Sequence, residues 1–144
     1  MRDMTEKEIL DFIAEFRWGT ILAVDGDKPY AVEVSYASDD NYIYCGSRPG
    51  GRMAKSIKSN SNAAFKICDS DPEHKKWRAV IVEGAAERFT KKEDILYFTR
   101  LLAKKMGRPE NSFDALAEKI AENPEESNSI GIPLKVMSGV TNWP

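Results

Sequence analysis

The residues best suited to chemistry lie in one stretch, residues 41–62, which reads NYIYCGSRPGGRMAKSIKSNSN. Its first part, Tyr42-Ile43-Tyr44-Cys45, has the aromatic and β-branched types that favour strands. Gly46, Ser47, Arg48, Pro49, Gly50 and Gly51 break that run and form a loop. Arg52, Lys55 and Lys58 then recur every third residue, so a short helix would set all three cations on one face. A strand, a glycine-rich loop and a cationic helix start together suit an anion. Glycines let backbone N–H groups come close, and a helix N-terminus favours negative charge. The stretch is not a Walker loop, because no Gly-Lys-Ser/Thr closes it. A solvated basic turn between two strands is the competing reading of the same residues.

Other chemistry-bearing residues are few. His74 is the only histidine and lies in the polar stretch 69–76, which suits a solvated loop; one histidine does not make a metal site. Cys45 and Cys68 sit in separate strand-like runs, outside any CxxC pair, and are expected to be buried free thiols. No His/Cys cluster suggests zinc, and no nucleophile-elbow motif supports a Ser-His-Asp arrangement. Lys and Arg number 21 against 23 Asp and Glu, a net charge of −2 that argues against a broad nucleic-acid surface. No apolar run approaches the ~20 residues that span a membrane, and the charged start MRDMTEKEIL lacks a signal-peptide core. The expectation is a cytoplasmic protein.

The elements that must position the basic stretch follow from periodicity. Thr5-Glu6-Lys7-Glu8 reads as a capping box, and Ile9, Ile13 and Phe16 predict an amphipathic helix over 6–16. Residues 18–24 read as a strand ended by Asp25-Gly26. Residues 30–36 alternate, with Tyr30, Val32, Val34 and Tyr36 on one face. Short connections make these strands and 42–45 an antiparallel meander. Strands over 63–68 and 77–89 follow, with Gly84 expected at a bend or bulge. Thr90-Lys91-Lys92-Glu93 reads as a second capping box, opening a helix that ends near Gly107. A shorter helix covers 112–122, and a last strand 130–137 carries Pro133, which keeps it near an edge or irregular. Six strands with helices at the start, middle and end make one α+β, mainly β domain over 1–144. The meandering strands can close as a small barrel covered by helices.

The order of these segments resembles a known family. Trp18-Gly19-Thr20-Ile21-Leu22-Ala23-Val24, Lys28-Pro29-Tyr30, Val34-Ser35-Tyr36 and Tyr42-Ile43-Tyr44 are followed by Gly51-Arg52, Ile57-Lys58-Ser59-Asn60 and Val80-Ile81-Val82-Glu83-Gly84-Ala85-Ala86. The set is similar to the pyridoxamine 5'-phosphate oxidase-like FMN-binding split barrels, most of all the small nitroimidazole-resistance (Nim) type proteins. That resemblance implies a six-stranded antiparallel split β-barrel and a homodimer with FMN in a groove at its interface. It places the FMN phosphate on Arg52, with Ser47 and Lys55 assisting, and lines the ribityl chain and ring with Val34, Ser35 and Tyr36. Arg78 falls where the family's cofactor-binding strand begins.

Three positions depart from the family's pattern. Met53 stands where a second cation is usual, Ala79 where a flavin-contacting glutamine is usual, and Gly46 where the Nim proteins carry a histidine. These departures keep deazaflavin and haem open as other ligands and leave nitroimidazole reduction unclaimed. The resemblance implies a flavin-dependent oxidoreductase acting on a small-molecule substrate with an electron donor, with Tyr36, Arg78 and Trp143 as candidate substrate contacts. A non-catalytic carrier, electron-transfer module or ligand sensor on the same fold is the competing class.

Overall fold

In the computed structural model, which describes all 144 residues, nine strand segments pair antiparallel throughout. In chain order the elements are β1 (Arg2–Asp3), α1 (Glu6–Glu15), β2 (Trp18–Asp25), β3 (Lys28–Ser38), β4 (Tyr42–Gly46), α2 (Arg52–Ser59) and β5 (Asn62–Ser70). Then come β6 (Trp77–Ala85), β7 (Glu87–Arg88), α3 (Lys92–Lys105), α4 (Asp114–Glu122), a 3-10 turn (Pro124–Glu126), β8 (Ser129–Pro133) and β9 (Val136–Thr141). Gly26, at φ +66°, opens the two-residue turn that folds β3 back on β2, a backbone angle only glycine adopts freely.

Two strands carry the chain from one side of the barrel to the other. β3 pairs with β2 as far as Ser35 and with β4 from Tyr36 onward. β6 pairs with β5, and after the single residue Ala86 its continuation β7 pairs with β8. The order β2-β3-β4-β8-β7/β6-β5 therefore returns on itself, because β5 also pairs with β2. This ring is the six-stranded barrel expected from the sequence; β9 and β1 extend it outside β6.

Alternation fills the ring. Ile21, Tyr36, Ile43, Phe65, Ile67, Val80, Val82, Ile130 and Ile132 point inward and are almost fully buried. Ile9, Phe12 and Ile13 of α1 join the same core, as do Met53 and Ile57 of α2. Fully burying a side chain of this size stabilises by about 1.5–3 kcal/mol, so both helices are fixed to the barrel by their apolar faces. Ile95, Ala117 and Ile120 form a second small core between α3 and α4.

Several expectations need correction. The capping box at Thr5 is present, with Glu8 N–H donating to Thr5 Oγ1 at 3.2 Å and Thr5 N–H to Glu8 Oε1 at 3.0 Å. The one at Thr90 is not: the N-cap is Lys91, whose carbonyl accepts the first helical bond from Ile95 at 3.1 Å, and no side chain caps the end. Gly84 keeps regular register opposite Ala63, and the bend falls at Ala86, where the strand changes partners. The last strand is two, β8 and β9. Pro133 has no N–H to continue the ladder, and the chain turns there, with Leu134 N–H donating to Asn41 O at 2.9 Å. Both cysteines are free, but only Cys45 is buried, and burial pushes its thiol up to about 12. Cys68 is exposed, because it shares the outward face with Lys66 while Phe65 and Ile67 point inward. No helix is long and apolar enough to cross a membrane.

Candidate functional site

The basic stretch folds into a tight loop that delivers α2 to the barrel mouth. Arg48-Pro49-Gly50-Gly51 makes a turn in which Gly51 N–H donates to Arg48 O at 2.9 Å. Pro49 at the second position and Gly50 at the third, with φ +64°, are the type II signature. Glu126 O accepts from Gly50 N–H at 2.9 Å and anchors the turn to the far side of the chain. Gly51 is the N-cap of α2 and brings no side chain to cap it. A Cβ there would sit 2.9 Å from Arg48 O. The first-turn N–H groups of α2 thus carry no side-chain cap, and with the helix dipole they favour an anion.

α2 sorts its residues by face. Met53, Ala54 and Ile57 are buried, while Arg52 and Lys55 stand in solvent. Arg52 Nε donates to Asp25 Oδ2 at 2.7 Å, and the guanidinium lies 4.0 Å from the Tyr30 ring centroid. Arg48 and Lys55 form no ion pair.

These cations begin a groove in three stretches. The first is a polar cleft of about 830 Å³ walled by the turns at residues 25–26 and 48–51 and by Arg52, Lys55, Ser56, Ser59 and Asn60 of α2 and its end. It shares Arg48, Gly51 and Arg52 with a middle stretch of about 370 Å³ along Tyr30, Val32, Glu33, Val34 and Met53. That stretch shares Glu33, Val34 and Ser47 with an apolar slot of about 430 Å³ lined by Phe98, Leu102, Phe113, Leu116 and Ile120. At the slot's wall, Ser47 Oγ and Asn128 Oδ1 are buried without a hydrogen-bond partner. Each such group carries a desolvation cost of about 1–3 kcal/mol that a bound polar edge can offset.

Six of the eight sequence candidates meet here: Val34, Ser35, Ser47, Arg52, Met53 and Lys55. Tyr36 and Arg78 lie outside the groove of this chain. Tyr36 is inside the barrel, its hydroxyl donating to Ile13 O at 2.7 Å. Arg78 sits at the other end of β2, roughly 25 Å of strand away. There it pairs with Asp69 at 3.1 Å and lies 4.2 Å from the Trp143 ring and 4.9 Å from the Phe12 ring. The sequence reading passed over Arg48, Asp25, Asn128 and the aromatic lining from Phe98 and Phe113. For Arg48 a signal existed, since Pro49-Gly50 dictates a turn that folds it back beside Arg52.

The sequence matches the family model described as pyridoxamine 5'-phosphate oxidase over residues 5–141. A curated relative, an uncharacterized protein of Rhizobium meliloti, is 27% identical over 84 residues, covering 58% of this chain and 54% of the relative. The chain thus spans about half the length of that protein. Among solved structures, a protein assigned to 5-nitroimidazole antibiotic resistance in Bacteroides thetaiotaomicron aligns with TM-score 0.77 at 14% identity, over 96% of this chain and 85% of that one. An FAD-binding protein from Mesorhizobium loti aligns with TM-score 0.69 at 18% identity, over 99% and 98%. At these identities the structural likeness is one of fold.

Tyr36 has an unexpected neighbour. Lys105, at the end of α3, places Nζ 4.2 Å from the Tyr36 ring centroid and donates to Ile13 O at 3.4 Å. It has no carboxylate partner within ion-pair distance, and burial, with Arg17 nearby, pushes its ammonium down to about 8. A lysine pKa depressed on folding costs stability where the group is charged in both states. That cost is full below pH 8 and fades as pH rises toward the unfolded value of about 10.5. Lys105→Met should therefore raise the urea midpoint at pH 7, and its advantage over the wild type should shrink by pH 10. An advantage independent of pH would show that packing, and not the buried charge, sets the difference.

Proposed function

Because the chain belongs to the pyridoxamine 5'-phosphate oxidase family, matched over residues 5–141, we propose that it binds a flavin nucleotide, FMN in its minimal form, in this groove. We propose further that it is an oxidoreductase acting on a small substrate. The observation that carries the reading is the order of the groove: cations and free helix N–H groups at one end, an apolar slot at the other, a strand edge between them. A phosphate-bearing chain with a planar ring has its parts in that order. The FAD-binding structural relative supports the same class of ligand.

The residues present fit that ligand. Arg48 and Arg52 can fork a phosphate, and the uncapped turn of α2 adds N–H donors without a side chain in the way. Val34 lies along the middle of the path and Ser35 follows it on the wall of the slot. Phe98, Leu102 and Phe113 exclude water from a ring in the slot, and the unpartnered Ser47 and Asn128 oxygens lie where its polar edge would turn inward. Bound flavin supplies the electron chemistry, so the protein's work is to hold and orient it. Gly46 keeps the slot open. A Cβ there would already stand 3.5 Å from Asn128 Nδ2 and 3.6 Å from Phe98 Cε2, so a larger side chain would enter the ring's space.

The working unit in this proposal is a homodimer. Trp18 is 57% exposed and Ile81 36% exposed, both on the outer face of the sheet formed by β2, β5 and β6. A second copy packed on this face would cover both side chains. A monomeric mass by sedimentation at micromolar concentration would contradict the dimer.

The flavin reading is tested by titrating the apoprotein with FMN and with riboflavin, which lacks the phosphate. Arg48→Ala and Arg52→Ala should each weaken FMN by ~10- to 30-fold, about 1.4–2 kcal/mol for a charge-assisted bond shared between two guanidinium groups. Riboflavin affinity should stay within threefold. Equal losses for both flavins, or no loss, would overturn the phosphate assignment. With FMN bound, bleaching of its visible absorbance by NAD(P)H and recovery with an electron acceptor is the outcome expected of an oxidoreductase.

A further inference from the structure

The ladder between β4 and β8 places Asn128. Gly46 stands opposite Ser129 at the end of that ladder, so the next pair across it is Ser47 and Asn128. The Asn128 amide meets the Ser47 carbonyl, which can only accept, so its nitrogen must face that oxygen and Nδ2 donates to Ser47 O. Oδ1 is thereby turned the other way, an acceptor without a donor. Beside it, the Ser47 hydroxyl also has no partner. Four buried side-chain polar atoms in the chain lack a partner, and only these two belong to residues that line the slot. The other polar groups there are engaged: Thr99 Oγ1 donates to Leu96 O at 3.2 Å, and Glu33 accepts from Thr20 Oγ1. Asn128 is 8% exposed, so water gives it little relief. An acceptor so placed selects for an N–H, because a ligand without one leaves it both desolvated and unpaired.

We propose that Asn128 and Ser47 are the specificity-determining pair of the slot, reading a ring edge on which an N–H stands next to a carbonyl. Asn128 Oδ1 accepts from the N–H, and Ser47 Oγ donates to the carbonyl. The proposal rests on the reading that a flavin occupies the groove. The order of the two residues along the wall matches that ring. Ser47 lines both the middle stretch and the slot, whereas Asn128 lines the slot alone, so a ligand entering from the cleft passes Ser47 first. On a flavin, counting from the nitrogen that bears the ribityl chain, the pyrimidine edge presents a carbonyl first and the imide N–H next. A porphyrin carries no such edge, and no His, Cys or Met lines the slot to ligate its iron. A phosphate or carboxylate end would find no cation in the slot, only Glu33. Ring choice is thus set by one buried acceptor, separately from the phosphate contacts at α2.

The test is equilibrium binding to the apoprotein of FMN and of 3-methyl-FMN, in which a methyl group replaces the imide hydrogen. The wild type should bind FMN about 30-fold more tightly than the methylated ring, as expected when a buried acceptor is left unmet. Asn128→Leu keeps the shape of the side chain and removes the acceptor. It should weaken FMN about tenfold and leave 3-methyl-FMN within about threefold, so that the preference collapses. Circular dichroism verifies that the variant folds, and the wild-type comparison needs no variant. Equal affinity of the wild type for the two flavins overturns the edge-reading pair and leaves the flavin reading standing. So does a preference that survives intact in folded Asn128→Leu, which would make the discrimination steric. Haemin at equal concentration should leave bound FMN in place, and its displacement of FMN overturns the pair as well. Failure of FMN itself to bind overturns both readings.

Discussion

The arrangement depends on the burial of one short helix face. α2 has only eight residues, too few to be stable alone in water. Met53, Ala54 and Ile57 sink into the barrel mouth and hold it there. With those residues inward, the opposite face is committed to solvent, and the start of the helix must emerge from the loop after β4. The glycine N-cap is then functional in the physical sense. A serine or aspartate at Gly51 would occupy the N–H groups itself, and its Cβ would press on Arg48 O. Burial therefore creates the electropositive end, and the missing side chain keeps it available.

The barrel closure sets where that end points. β3 runs from the β2 side to the β4 side, so its middle, Val32 to Ser35, passes beneath α2 and then beneath α3. One strand edge thus connects the cationic cleft to the apolar slot. Asp25 adds restraint. By engaging Arg52 Nε it orients the guanidinium over Tyr30 and leaves the terminal nitrogens for an anion, at the cost of a negative charge in the same cleft. Arg48, with no such partner, offsets that charge. Met53, which stands where relatives are expected to carry a cation, contributes burial, and Arg48 supplies the positive charge from the other side of the turn.

Much of this was legible in the sequence because it is local. The strand alternation, the Thr5 capping box and the glycine-rich break before Arg52 act over a few residues, and each formed. Where the reading failed, distant partners decided. Thr90 has no capping role because the N-cap falls one residue later, at Lys91, and α3 starts at Lys92. Gly84 stayed straight because β6 still pairs with β5 there, and the bend waited for Ala86, where β8 takes over. Cys68 was readable by parity, since Phe65 and Ile67 point inward, but residue type suggested burial. The Asp25–Arg52 pair joins residues 27 apart, and the slot brings together β3, α3, α4 and Asn128; no local spacing encodes either. Six candidate residues converged because they lie on β3, on the loop after β4 and on α2, which that loop delivers to the same mouth, whereas Arg78 belongs to a cation–aromatic cluster that ties the C-terminal segment to α1.

The central claim is that the start of α2 is an anion site at the head of a continuous groove. Backbone ¹H–¹⁵N spectra of the apoprotein, recorded with FMN and with riboflavin, test it most directly. With FMN the account predicts the largest shifts at Gly51, Arg52, Met53 and Ala54, together with shifts at Val34 and Phe98. Riboflavin should move Val34 and Phe98 and leave the α2 amides nearly in place. Unmoved α2 amides in the presence of bound FMN, or shifts centred instead on Arg78 and Trp143, would contradict the account.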